Sequence, residues 1–313
     1  MPDGARYDVL IVGAGASGAV AAKRLAEEGF KVVCLEQGDW PDYSKARADK
    51  PDFELTAGRD WAWDPNVRRA PGDYPVDDSE SDITALMWNG VGGGTVVYAA
   101  HWQRNLPSDF RVRTLDGVAD DWPFSYEDLE PYYVRAERDW GVSGLAGDTA
   151  FPPGEGPPMA PAPLGRMGRR VARAHNELGW HWWPGPNAIA TRPYGNLNPC
   201  RQRATCLWGC MEGAKATVDR TYWPVAVDKG VTLVTRACVK QLLTGADGLV
   251  RGAVYLDADG GEHVQEAAVT ILCANGIGTP RLLLLSASAQ HPGGLANSSG
   301  LVGKRLMMHP FGT

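Results

Sequence analysis

Tyr7–Asp8–Val9–Leu10–Ile11–Val12–Gly13–Ala14–Gly15–Ala16–Ser17–Gly18 is the stretch on which the fold turns. Its first half is an apolar run without clean alternation, the pattern of a strand buried on both faces of a parallel sheet. Its second half matches G-x-G-x-x-G, after which Gly18, Ala21, Ala22 and Leu25 recur at helical spacing and Gly29 is placed to end the helix. A second strand, Lys31 to Leu35, delivers Glu36 at its carboxyl end. Strand, glycine turn, helix, strand and acid in that order describe a β-α-β unit that binds a dinucleotide. Gly13 permits the tight turn, Gly15 lets backbone approach a pyrophosphate, and Gly18 lets the helix pack closely on the strand. Ala16 and Ser17 belong to the same turn, whose phosphates sit over the positive end of the helix dipole. Glu36 is placed to accept hydrogen bonds from ribose hydroxyls, with Gln37 beside it, and its carboxylate would repel a 2′-phosphate.

Outward from this unit the chain is less regular. From Gln37 to about Leu86 it is polar, aromatic and rich in turn residues, and reads as irregular surface structure. Ser125, followed by Glu127 and Asp128, reads as the N-cap of a helix continuing through Tyr132, Tyr133 and Ala136. The proline- and glycine-dense segment Phe151 to Pro163 reads as a connection between domains, and Arg166 to Leu178 as a helix beyond it. Three strand-like runs follow, Val231 to Leu243, Val250 to Leu256 and Val264 to Cys273, parted by glycine-containing turns as in a β-meander. The resulting expectation is three segments: residues 1–150 and 224–313 as two parts of one nucleotide-binding domain, and 151–223 as an inserted, cysteine-bearing piece of a second.

A second glycine cluster, Asn89–Gly90–Val91–Gly92–Gly93–Gly94–Thr95, follows some seventy residues after the first. A nicotinamide nucleotide needs one phosphate cradle, whereas a flavin, with its ribityl chain and isoalloxazine ring, needs a second close approach of backbone. With the late segment Ala274–Asn275–Gly276–Ile277–Gly278–Thr279–Pro280–Arg281–Leu282–Leu283, these clusters resemble the glucose–methanol–choline (GMC) oxidoreductases over essentially the whole chain. The resemblance implies an α/β fold: a Rossmann-like FAD-binding domain with a β-meander, plus part of an α+β substrate domain. It implies Gly93, Gly94 and Thr95 near the flavin, Val239 as a backbone partner of the adenine, and Ala274 and Asn275 beside the pyrophosphate. Trp88, Tyr98 and the Asn275–Gly276 pair depart from the family's usual residues. His101 invites comparison with members that tether FAD through a histidine, but lies several residues past that position and reads rather as a histidine lining the flavin pocket.

The activity implied is oxidation of a carbinol in an alcohol, polyol or sugar, with a base taking the hydroxyl proton while hydride passes to flavin N5. In the family that base is a histidine far toward the carboxyl terminus, so the catalytic base is expected beyond Thr313. The final segment Gly303 to Pro310 resembles a mid-chain family element, and His309 is not expected to be the base. The chain is therefore expected to be a fragment, a truncated product or one half of a split enzyme, inactive alone, with a non-catalytic flavin-binding subunit completed by another chain as the alternative.

Cys200, Cys206 and Cys210, spaced C-x5-C-x3-C, leave two readings open: thiols packed in a tight loop, or ligands of an iron–sulfur cluster. The spacing is similar to that of bacterial flavin glucose dehydrogenases, which carry a three-iron [3Fe-4S] cluster and pass electrons to a cytochrome; that would imply an electron-acceptor protein here. Trp180, Trp182 and Trp183 could stack on a sugar ring or simply pack. A formal charge of −6 without a basic run argues against nucleic acid. No apolar run approaches the roughly 20 residues of a membrane span, and a cytoplasmic, reducing setting is expected.

Overall fold

The computed structural model describes residues 6–46, 49 and 52–307. In chain order these form β1 (Tyr7–Val12), α1 (Ala16–Glu27), β2 (Val32–Leu35), α2 (Phe53–Asp60), α3 (Pro65–Arg68), α4 (Val112–Asp116) and α5 (Tyr126–Trp140). Then come α6 (Arg166–Leu178), α7 (Val218–Thr221), α8 (Trp223–Asp228), β3 (Thr232–Val234), β4 (Cys238–Thr244), β5 (Val250–Leu256), β6 (Glu262–Leu272) and α9 (Asn275–Leu285). The chain divides into two compact units, one of residues 1–97 with 222–313 and the other of residues 98–221.

The first unit is built on a six-stranded sheet of order β3-β2-β1-β6-β5-β4. β3, β2, β1 and β6 run parallel, whereas β5 and β4 return antiparallel beside β6. β1 lies between β2 and β6, with Val9 opposite Val32 on one side and Val269 on the other. Leu10 and Ile11, on opposite faces of β1, are both completely buried, which is why its apolar run shows no alternation. Leu10, Val12, Val33, Leu35, Leu242, Ala253 and Leu282 share one core cluster, and full burial of each large aliphatic contributes roughly 1.5–3 kcal/mol. Just past the Glu28 C-cap of α1, Gly29, with a φ of +85°, supplies the left-handed residue that closes many helices.

Two expectations for this unit are corrected. The run Val231 to Leu243 is two strands, because Arg236 turns the chain at a φ of +55°; β3 joins β2 in parallel and β4 joins β5 in antiparallel. The Gln37–Leu86 region is also more ordered than expected. It holds α2 and α3 and a 3-10 turn at Tyr43–Lys45; α3 starts from Asp64, whose side chain accepts from the Asn66 N–H, with Pro65 in the first helical turn.

The second unit contains α4 to α7, and its β-type pairing among the described residues consists of isolated bridges, such as Ser143 with Met159 and Asn187, and Ile189 with Lys215. Ser125 and Asp128 form a capping box at the start of α5. Inside this unit Arg104 grips Glu137 through two 2.7 Å bonds and reaches Tyr126 Oη at 2.9 Å. Phe151–Pro163 is internal to the unit rather than a connection: Met159 is buried, donates to Val142 O at 3.3 Å and accepts from Gly144 N at 2.9 Å. The unit boundaries fall at Val97/Tyr98 and Thr221/Tyr222, not at 150/151. No described helix is long and apolar enough to cross a membrane.

Candidate functional site

The three glycines of the first turn have three different physical reasons to be glycine. Gly13 sits at φ +102°, and a Cβ there would lie 2.5 Å from Cys273 O, so the turn and the end of β6 exclude any side chain. A Cβ on Gly18 would collide with Gly13 O and press on the Ile11 side chain, so helix–strand packing excludes it too. Gly15 differs: its backbone is extended (φ −75°, ψ −164°), and the nearest atom to a Cβ would be Gly93 Cα at 3.8 Å, an ordinary contact. No described neighbour demands glycine there, and what remains is the close approach of something outside the protein. No side chain caps α1, whose exposed first residues are Ala16 and Ser17. The first-turn N–H groups of a helix have no acceptor within it and carry the positive end of its dipole.

The second glycine cluster comes to the same place. Gly92 N donates to Ala14 O at 3.0 Å, and a Cβ on Gly93 would meet Gly15 Cα at 2.8 Å. Gly94, beside it, is exposed with open space around it. Thr95 is buried, and its hydroxyl donates to Gly92 O at 2.6 Å. Two clusters some seventy residues apart thus make one stretch of bare backbone, Gly15 with Gly93 and Gly94.

Glu36 is buried, and its carboxylate accepts from Ala14 N at 2.8 Å and Gly38 N at 2.9 Å. Burial pushes its carboxyl above the usual range, and backbone N–H groups, that of Ala14 foremost, draw it part of the way back. It therefore pins the first turn. Gln37 lies by Cys238, whose Sγ is 3.9 Å from its Oε1. Glu36 O accepts from Ala237 N at 2.8 Å, which sets Val239 two residues beyond that anchor, just before a register slip in β4. Cys273 N bonds Val12 O at 2.8 Å, so Ala274 and Asn275 follow directly from the first turn's neighbour strand. Asn275, at φ +62°, caps its own helix by accepting from Ile277 and Gly278 N–H at 2.8 Å each.

Sequence reasoning missed two participants. Trp223, fully buried, donates its indole N–H to Ala14 O at 2.9 Å, and Arg281 stacks over the Tyr74 ring at 4.7 Å. The first is more than two hundred positions from its partner and has no local signal; the second is visible in the sequence only as an arginine beside a proline.

His101 belongs to the other unit, where it is exposed and bridges to Asn187. In that unit Tyr98 Oη donates to Ala216 O at 2.7 Å, and burial pushes its phenol well up. Two of the three cysteine sulfurs of the Cys200–Cys210 loop take backbone partners. Cys200 Sγ accepts from Gln202 N at 3.3 Å and Cys210 Sγ from Lys215 N at 3.5 Å, each turned to its own backbone. The Lys215 ammonium binds Cys206 O and Tyr98 O, the latter at 3.0 Å. Among the described residues no three His, Cys, Asp or Glu side chains converge as a metal requires. Trp182 and Trp183 donate their indole N–H groups to Asn176 Oδ1 at 2.7 Å and Leu145 O at 2.8 Å, while Trp180 is exposed. His309 and Thr313 lie outside the described residues, and so does any base beyond Thr313.

Against known proteins, the sequence matches the GMC oxidoreductase family over residues 7–311. It is 44% identical to the 2-methyl-1,2-propanediol dehydrogenase of Mycolicibacterium austroafricanum, over 96% of this chain and 55% of that protein. It is 34% identical to the fructose dehydrogenase large subunit of Gluconobacter japonicus, over 97% of this chain and 58% of that one. The chain thus spans somewhat over half the length of these curated relatives. Its fold is that of the pyridoxine 4-oxidase from Mesorbium loti (TM-score 0.59, 21% identity, 90% of this chain and 52% of that one). An FAD-dependent oxidoreductase from Chaetomium thermophilum matches similarly (TM-score 0.58, 18% identity, 90% and 47%). Bare backbone at the mouth of an uncapped helix, in a sheet of this topology and a sequence matched from Tyr7 onward, identifies the chain as a member of the GMC oxidoreductase family.

Proposed function

We propose that this chain holds FAD for an oxidoreductase that oxidises the CH–OH group of an alcohol, polyol or sugar. The observation that carries the reading is Gly15, glycine for no reason found among its described neighbours, with Gly93 the nearest backbone to it and Gly94 open beside that. Gly13, Gly15, Ala16, Ser17 and Gly18, with Ala274 and Asn275, would receive the pyrophosphate. Glu36, Gln37 and Val239 would receive the adenosine, and Gly93, Gly94 and Thr95 the flavin side. When bound, FAD accepts a hydride at N5 from the carbinol carbon. The 2-methyl-1,2-propanediol dehydrogenase and the fructose dehydrogenase named above favour a polyol or sugar donor, and the latter's description as a large subunit favours a further protein that takes the electrons. Six unpaired cysteines favour a reducing, cytoplasmic setting.

We further propose that these residues alone do not turn over a carbinol, the base lying beyond Thr313. Of the described histidines, His181 is paired with Asp148 at 2.9 Å and His263 with Asp257 at 2.6 Å. His175 packs edge-on to Trp180. Loss of a positioned base costs about 10² to 10⁴ in rate. The test is anaerobic mixing of the flavin-loaded complete gene product with a panel of diols, polyols and sugars. Bleaching of the oxidised flavin band by a member of that panel supports the activity, and bleaching by dithionite alone refutes it. The same mixing with residues 1–313 should leave the band intact.

A further inference from the structure

The region between α2 and the second glycine cluster contains an ion pair with no part in the reading so far. Arg68 and Asp73 have side chains only 3% exposed. The guanidinium binds Asp73 through two of its nitrogens, while its Nη1 donates to Ala62 O at 2.5 Å and Met87 O at 3.1 Å. Its face lies 4.7 Å from the Trp88 ring centre, and Trp88 in turn stacks on buried Trp61 at 5.0 Å. Asp73 accepts besides from Ala70 N at 2.7 Å and from Asn89 Nδ2 at 2.9 Å. Three consecutive residues are thus held by one pair: Met87 through its carbonyl and Trp88 through its ring by the guanidinium, and Asn89 through its amide by the carboxylate.

Those residues are the root of the second glycine cluster. Directly after them Gly90 pairs with Asp39, Val91 N bonds Asp39 O at 3.1 Å, and Gly92 N reaches Ala14 O. A Cβ on Gly90 would lie 2.7 Å from Asp39 O and 3.0 Å from Trp88 Nε1, so the approach is already tight. A buried ion pair adds little to stability alone, because desolvation offsets most of the attraction. A fork with five donors, however, fixes position in several directions at once.

We propose that Arg68 and Asp73 are positioning residues for the cofactor: they fix the Trp88–Asn89 root and thereby set where Gly93 and Gly94 lie against Gly15. The assignment rests on the FAD reading above. The two binding probes are FAD and ADP, the latter lacking the flavin side. Asp73→Asn and Arg68→Lys should each weaken FAD about tenfold or more while ADP binding stays within about twofold, and the visible circular dichroism of bound flavin should change. Asn89→Ala leaves the ion pair whole and breaks only the link, so it should reproduce the FAD loss while the cofactor-free protein keeps a cooperative melting transition lowered by only a few degrees. Combined with Asp73→Asn it should add nothing further. Equal weakening of FAD and ADP, additive losses in the double variant, or FAD affinity unmoved in Asn89→Ala overturns the assignment. Failure of the unmutated chain to bind FAD at all refutes the function reading instead.

Discussion

The turn Gly13–Gly18 and the loop Cys200–Cys210 both carry a spacing that announces a bound group, and they end differently. In the turn, β1 and α1 hold each glycine at a known angle and depth, so spacing becomes geometry and Gly15 is left facing outward. In the loop no strand or helix frames the cysteines, and the sulfurs of Cys200 and Cys210 turn to nearby N–H groups. Its organiser is the Lys215 ammonium, 1% exposed and bound to two carbonyl oxygens. Spacing of chemically apt residues locates a site where regular structure translates it into convergence.

The largest effect expected from probing this contrast is at the turn. Gly18→Ala drives a Cβ into backbone and should cost on the order of 3 kcal/mol or more, seen as a large fall in melting temperature. Gly15→Ala should leave the cofactor-free melting temperature within about 1 °C, yet weaken FAD about tenfold or more. Equal melting losses for the two variants would remove the distinction on which the cofactor reading stands.

At the loop, burial lowers Lys215 to about 8, against an ordinary value of 10.5. The unfolded chain therefore holds a proton on it that the folded chain has lost between those values, so stability should rise as pH increases from about 8 to 10.5. The gain, taken relative to Lys215→Met, is at most roughly 3 kcal/mol. Denaturant unfolding of both proteins across that range measures it, and parallel curves would show that burial does not disfavour the charged form of Lys215.

Smaller still is the expected effect of removing the thiols. Cys→Ser at 200, 206 and 210 together should leave FAD retention unchanged, and anaerobically prepared protein should contain well under one iron per chain. Three irons per chain, lost in that variant, would show that the loop can close around a cluster after all. Smallest is Glu155→Ala, which breaks an exposed pair with Arg138; thermal melting should not register it, whereas Glu137→Ala, which removes a buried carboxylate from the half-buried Arg104, should lower the melting temperature clearly.

How much is legible in the sequence follows the same division. β1, α1, β2, Glu36 and the Ser125 cap are legible because each is a local pattern of burial period, turn or cap. The break at Arg236 is not, since Val231 to Leu243 is uniformly strand-like and only pairing with two different neighbours divides it. Nor are Trp223 on Ala14 or the Arg68–Asp73 pair beneath Asn89, which depend on contacts the chain makes only once folded. The Asp64–Pro65 helix start carries a local signal, but α3 is a single turn set among polar residues that mask it.

The central claim is that two glycine clusters, brought together at Gly15, Gly93 and Gly94, hold FAD. Purified residues 1–313, incubated with FAD, freed of excess and denatured, should release close to one equivalent of a chromophore with the absorption and chromatographic mobility of FAD, and Gly15→Val should release none. Release of a nicotinamide nucleotide, or of nothing from a sample with a cooperative melting transition, would contradict it.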